Sequence, residues 1–246
     1  MSKVTTRAGI AVAAAGAAAL LAIPIHGALV GAGSAPIPFD DARLKIEYNS
    51  TDGDAGMQFF VDVEEWQHVQ VTNPSGRKVA DFSASQVIRD FGLSELFSES
   101  SEPSFDELPF DDFKQLFPEG DYTFTGETID GQKLKSTFTL SHTVPDGPTV
   151  TAPAEGATVA PDALVITWLP DDSPAPVDVA QYEVLVINDA VGVPNPERTF
   201  DVILAGDATE VSVPSQFLTP GSYKTEVLAI DRTGNQTLTE VAFTVA

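Results

Sequence analysis

The 246-residue chain contains no cysteine. That excludes disulfides, thiolate metal sites, a cysteine nucleophile and a lipid-bearing N-terminal cysteine. Any folded domain must therefore hold together through its core and hydrogen bonds alone. Basic residues are scarce: 13 Lys and Arg stand against 36 Asp and Glu, a formal net charge of −23. Residues 36–143 carry 21 acids and 8 bases, and residues 144–246 carry 15 and 3, so the charge belongs to the whole surface and not to a tail. Such a surface repels phosphate backbones and anionic membranes, so nucleic acid is not an expected partner. It suits solubility, cations and basic partners.

Histidine is nearly as scarce. Outside the first 35 residues only His68 and His142 remain. A Ser/His/Asp triad needs an imidazole placed beside a hydroxyl and a carboxylate, and both histidines read as ordinary surface residues. Two separated histidines without cysteine also make a poor zinc site. No Gly-x-Ser-x-Gly, phosphate-binding loop or dinucleotide fingerprint occurs. Abundant acids leave a carboxylate-pair glycosidase open on composition alone, but small sandwiches rarely enclose a catalytic cleft. The chain is expected not to be an enzyme.

What is present begins with a leader. Lys3 and Arg7 precede an uncharged Ala/Leu-rich run from Ile10 to Ile25, followed by the small residues 31–35. Residues 1–35 read as a secretory signal peptide, with Val30-Gly31-Ala32 the best cleavage site. An uncleaved anchor is the alternative, because the run extended past His26 reaches the ~17–25 residues that span a bilayer. Cleavage predicts a secreted, periplasmic or cell-surface protein with no membrane insertion afterwards. The Ala-rich style suggests a bacterial exporter.

The rest of the chain alternates apolar and polar residues with period two. Leu44, Ile46 and Tyr48 share a face, as do Met57, Phe59, Val61 and Val63. Pro74-Ser75-Gly76 and Asp130-Gly131 mark turns. In the second half, Leu164, Ile166 and Trp168 form one strand, and Tyr182, Val184 and Val186 the next. Tyr223 to Ala229 leads through Arg232-Thr233-Gly234-Asn235 into Val241, Phe243 and Val245. Short strands with regularly spaced turns predict an all-β fold of two tandem sandwiches. The stretch Pro118-Glu119-Gly120-Asp121-Tyr122 repeats as Pro220-Gly221-Ser222-Tyr223. Each tyrosine is expected to make a corner hydrogen bond to the loop before it.

Residues 146–246 resemble a fibronectin type III domain. Trp168, Tyr182, the Leu218-Thr219-Pro220-Gly221-Ser222-Tyr223 corner and the Ala229-Ile230-Asp231 run carry the resemblance. It implies a β-sandwich; the Arg-Gly-Asp loop that some members use for receptors is missing. Residues 40–143 resemble a divergent immunoglobulin-like sandwich, as in exported bacterial proteins of unassigned function. The prolines of Val144-Pro145-Asp146-Gly147-Pro148 predict a stiff, elongated pair of domains.

Residues 84–117 break the strand pattern and predict a helical insertion in the first domain. Val87, Ile88, Phe91, Leu96 and Phe97 suit a short helix interrupted at Gly92. Ser104-Phe105-Asp106-Glu107 resembles a capping box before Phe110, Phe113, Leu116 and Phe117 at helical spacing. These phenylalanines are expected either to cap the first core or to form an apolar groove for a partner. Phe97, Phe105, Phe110 and Phe113 are the candidate partner contacts, and Trp66 could stack on a sugar ring. Asn49, Asp52 and Asp54 offer hard oxygens for Ca²⁺, the one cofactor considered; they also suit an Asp/Gly-rich hairpin tip. Asp171 and Asp172 form a second acidic pair. Asn49 and Asn235 open glycosylation sequons. The expected function is a non-catalytic exported binding or adhesion module for an extracellular or periplasmic protein or polysaccharide. A structural spacer or assembly subunit is the alternative, and a glycan-active enzyme the third.

Overall fold

The computed structural model describes residues 35–169, 177–189 and 197–246. Residues 1–34 of the expected leader, the Asp171–Asp172 pair and residues 190–196 lie outside them. The alternating segments form strands, as their period requires. The first half contains β1 (Asp41–Asn49), β2 (Asp54–Thr72), β3 (Lys78–Ser83), α1 (Gln86–Phe91), β4 (Leu93–Glu99), α2 (Phe110–Leu116), β5 (Gly120–Thr128) and β6 (Lys133–Leu140). The second contains β7 (Val150–Ala152), β8 (Ala157–Val159), β9 (Val165–Trp168), β10 (Val179–Asn188), β11 (Glu197–Ala205), β12 (Glu210–Ser212), β13 (Gly221–Asp231) and β14 (Gln236–Val245). The described residues are all-β in class, with one large mixed sheet and a three-stranded sheet packed around two separate cores.

The 19-residue β2 organises the first half. Its early part pairs with β1 and β4, its later part with β3 and β5. Between them the register slips, and Glu65 adopts φ +58°. One strand thus serves two layers by bending at a bulge. Met57, Phe59 and Val61 line the core before the bend, and Trp66, Val69 and Val71 after it. The bend is held from outside by Gly92, at φ +78°; a Cβ there would come within 2.6 Å of the Glu65 Cα.

The 84–117 segment is less helical than its sequence predicts. Gly92 ends α1 after six residues, none of them buried. The next seven residues form β4, not more helix, with Phe97 opposite Phe60 and Glu99 opposite Gln58. Ser104 does not cap a helix; its carbonyl accepts from the Glu107 and Leu108 amides in a turn. Helix α2 starts at Phe110, after Pro109.

In the second half, β12, β9 and β7 form one sheet, while β11, β10, β13 and β14 form part of the other. Leu164, Ile166, Trp168, Tyr182, Val184 and Tyr223 fill the space between them. The Tyr223 hydroxyl accepts from the Thr219 amide at 3.0 Å, as the corner motif predicts. Tyr122, its counterpart, is fully buried, but its hydroxyl has no partner. That corner bond is not made.

The two halves have separate cores, and strand pairing joins them in addition to the proline linker. Strand β1 pairs in parallel with β14, Glu47 opposite Gln236, so one sheet runs from β11 through both halves. Asn235 closes the seam and is only 1 % exposed. Its Oδ1 accepts from the Ile46 amide, and its Nδ2 donates to the Ser141 and Thr143 carbonyls, each at 2.8 Å. Thr237 Oγ1 donates to the Pro145 carbonyl at 2.6 Å. Hydrogen bonds from Asn235 and Thr237 thus tie the join together.

Candidate functional site

Residues that face away from both cores meet where the shared sheet crosses the seam. Alternation sends Lys45 and Glu47 outward from β1 and Gln58 outward from β2, while Leu44, Ile46, Met57 and Phe59 point in. From the second half come Glu183 and Leu185 of β10, Glu226 and Leu228 of β13, and Gln236 and Leu238 of β14. With Phe97 and Glu99 of β4, they line a cleft of about 430 Å³. Leu185, Ile187, Leu228 and Leu238 form an apolar cluster on this face, distinct from the second core behind it. An adjoining hollow of about 640 Å³ continues past Arg43, Ile203 and Arg232. The site therefore has an apolar floor with charged groups along its sides.

Those groups are interlinked. Gln58 Nε2 donates to Glu47 Oε2 at 2.9 Å and to Glu99 Oε1 at 2.6 Å. Gln236 Nε2 donates to Glu47 Oε2, and Lys45 Nζ donates to Gln236 Oε1 at 2.7 Å. Glu47, Glu99 and Glu102 each present a carboxylate oxygen within 4.8 Å of the others. Crowding of this kind favours the uncharged acid. Burial pushes the Glu102 carboxyl up to about 7, helped by the charges of Glu99, Glu47, Asp54 and Asp52. Burial also raises Glu47 and lowers the Lys45 ammonium. The cluster can hold a proton near neutral pH or accept a cation.

The residues singled out from sequence divide sharply. Phe97 is 55 % exposed and stands at the cleft. Phe105 and Phe110 are partly buried and meet Tyr48 at ring distances of 5.0 and 5.1 Å. Phe113 is buried and stacks at 5.9 Å from Phe110. These rings close the first core. Phe113 offers no surface to a partner, and neither does Trp66, which is completely buried on a strand flanked by β4 and β5. Apolar aromatics at core spacing bury themselves first, which is why both expectations fail.

In the loop proposed for calcium, Asn49 Oδ1 accepts from the Thr51 and Asp52 amides at 2.9 and 3.0 Å. Its Nδ2 donates to Asp52 Oδ2 at 3.2 Å, so it shapes a hairpin tip. Asp54 Oδ1 is buried without a partner. As a glycosylation acceptor Asn235 fails, being enclosed in the seam with both amide protons engaged. The histidines stay clear of the cleft: His68 Nε2 meets Asp81 at 2.9 Å on open surface, and His142 Nε2 lies 2.6 Å from the Phe117 carbonyl. Sequence reasoning missed Glu47, Gln58, Glu99, Glu102, Glu183 and Gln236 as a group. Outward alternation signals each singly; nothing local signals that they converge.

Neither a family model nor a curated protein matches the chain. Among solved structures it is similar to a tetra-tandem repeat in the extending region of a large adhesion protein, at 14 % identity and TM-score 0.29, covering 84 % of this chain and 50 % of that one. It is also similar to the FN1–FN3 domains of chicken CNTN1, at 14 % identity and TM-score 0.31, covering 86 % and 66 %. A third is trypsin-activated alpha-2-macroglobulin from Escherichia coli, at 12 % identity and TM-score 0.29, covering 86 % and 16 %. The chain thus spans half of the first and just under two thirds of the second. Likeness at this level says nothing of ligand or partner. Among the described residues, no helix is long and apolar enough to cross a membrane.

Proposed function

We propose that the protein is an exported, non-catalytic binding module that docks a protein or polysaccharide in the seam cleft. The observation that carries this reading is the cleft itself. Its apolar floor of Leu185, Leu228 and Leu238 is flanked by Glu47, Glu99, Glu183 and Glu226. Both halves supply its walls, so the parallel β1–β14 pairing creates a surface that neither half has alone. A docking surface needs buried apolar area for affinity and polar edges for orientation, and this face has both. The leader motivates export.

The test is binding of the protein to immobilised glycan and peptide arrays, with Phe97→Ala/Glu183→Gln as the cleft variant. Micromolar binding that the variant weakens at least tenfold supports the proposal. Binding that the variant leaves intact, or none across both arrays, overturns it.

One observation favours the assembly-subunit alternative. Strand β11 ends the long sheet, and Ile203 on it is 57 % exposed. Exposed strand edges are ready templates for pairing with another chain. Concentration-dependent assembly in sedimentation, abolished by Ile203→Lys, would move the function there. Hydrolysis of a glycan, lost in Glu102→Gln, would instead establish the enzyme reading.

A further inference from the structure

We infer that Lys45 and Gln236 join after folding through an isopeptide bond between Nζ and Cδ, releasing ammonia and stapling β1 to β14. Glu47 is the acid–base residue of this step. The inference does not depend on what the cleft binds. Alternation sends Lys45 and Glu47 from the same face of β1, and the parallel register sets Gln236 opposite Glu47. Lys45 Nζ donates to Gln236 Oε1 at 2.7 Å, and Gln236 Nε2 donates to Glu47 Oε2. A carbonyl bond is about 1.2 Å long, so Nζ stands roughly 3–4 Å from Cδ, close to attack distance. The carboxamide thus has a nucleophile at its carbonyl end and a carboxyl at its leaving nitrogen.

Lys45 differs from other lysines of the chain. Lys78, Lys114, Lys133 and Lys224 each pair with a carboxylate, which keeps an amine protonated and unreactive. Lys45 donates to an amide oxygen instead. Gln236 is buried, and burial lowers the Lys45 ammonium and raises the Glu47 carboxyl. Both shifts run toward the free amine and the uncharged acid. Gln58 Nε2 donates to Glu47 Oε2 at 2.9 Å and to Glu99 Oε1 at 2.6 Å, which holds the Glu47 carboxyl beside the leaving nitrogen.

The step balances without an oxidant or a cofactor. The neutral Nζ gives its electron pair to Cδ, and the carbonyl pair moves to Oε1. That pair returns, the Cδ–Nε2 bond breaks, and Nε2 takes a proton from Glu47 and leaves as ammonia. The proton lost by Nζ goes back to the Glu47 carboxylate. An amine and a primary amide become a secondary amide and NH₃. A chain without cysteine has no disulfide to close its seam. Three residue pairs join β1 to β14 directly, and a covalent link between positions 191 residues apart would keep them joined under force or denaturant.

The experiment is intact-mass spectrometry of the purified protein, followed by tryptic mapping. The parent should be lighter than its sequence by one ammonia. Trypsin should not cut after Lys45, and should yield residues 44–77 joined to residues 233–246. Lys45→Arg should show the full mass, and Glu47→Gln should lower the linked fraction at least fivefold. The parent mass decides the matter even where a variant fails to fold. A parent that keeps its full mass after prolonged incubation at pH 8, with trypsin cutting after Lys45, overturns the proposal. So does an ammonia loss mapped to any other residues. Linkage undiminished in Glu47→Gln would overturn the role of that carboxyl.

Discussion

Two tyrosines in matching positions show how much a single hydroxyl can differ in its environment. Tyr223 accepts the Thr219 amide proton, whereas Tyr122 buries its hydroxyl without a partner, and burial pushes that phenol up to about 12. Removing a bonded hydroxyl strands the amide; removing an unbonded one relieves a desolvation cost. Tyr223→Phe should therefore lose about 1 kcal/mol in urea unfolding, while Tyr122→Phe should be neutral or stabilise by up to about 1 kcal/mol. Equal losses would contradict the assignment. Asn235 is the more demanding case. Asn235→Ala leaves the Ile46 amide and the Ser141 and Thr143 carbonyls without their amide partner at the seam, and should cost about 2–4 kcal/mol in the same measurement. The tyrosine repeat was readable because each residue sits in a local turn of recognisable composition. The role of Asn235 was not, since its partners lie more than ninety residues away.

At the scale of elements, hairpins and alternation were legible and the insertion only partly so. Asp130-Gly131 turns β5 into β6, with Gly131 at φ +82°, because the turn needs a residue that tolerates positive φ. Segment 93–99 read as helix because Leu96 and Phe97 follow an apolar helical spacing, and tertiary pairing with β2 overrides that weak local preference. The bend of β2 depends on contact between two remote residues, Glu65 and Gly92. Gly92→Ala must either move Glu65 or abandon the positive φ, so a loss of about 2 kcal/mol or more is expected in chemical denaturation. A change within 0.5 kcal/mol would show that β2 bends without this prop. Helix α1 behaves in the opposite way. Val87, Ile88 and Phe91 are 66 %, 52 % and 74 % exposed, so replacing all three with Ser should leave stability within about 1 kcal/mol.

Across the whole molecule, net charge and one carboxylate cluster combine in one measurable behaviour. The acidity was plain from composition, but the β1–β14 seam was not, because strand edges carry no sequence code for a partner nearly two hundred residues away. Within the first half, pairing of β1 and β4 with β2 crowds Glu47, Glu99 and Glu102. Glu102 and Glu47 hold their protons to higher pH in the folded protein than the ordinary carboxyl value of 4.5, Glu102 to about 7. Between roughly pH 4.5 and 7 the folded state thus carries protons that the unfolded chain has released, and stability falls as pH rises through that window. A net charge of −23 adds self-repulsion of the same sign. The protein should melt about 3 °C higher at pH 5 than at pH 8. The two causes separate experimentally. Added NaCl screens the general repulsion and should recover part of the loss, whereas Glu102→Gln removes a specific proton and should flatten the profile at any salt. A variant whose pH profile matches the parent would detach the effect from the cluster and leave it to surface charge alone.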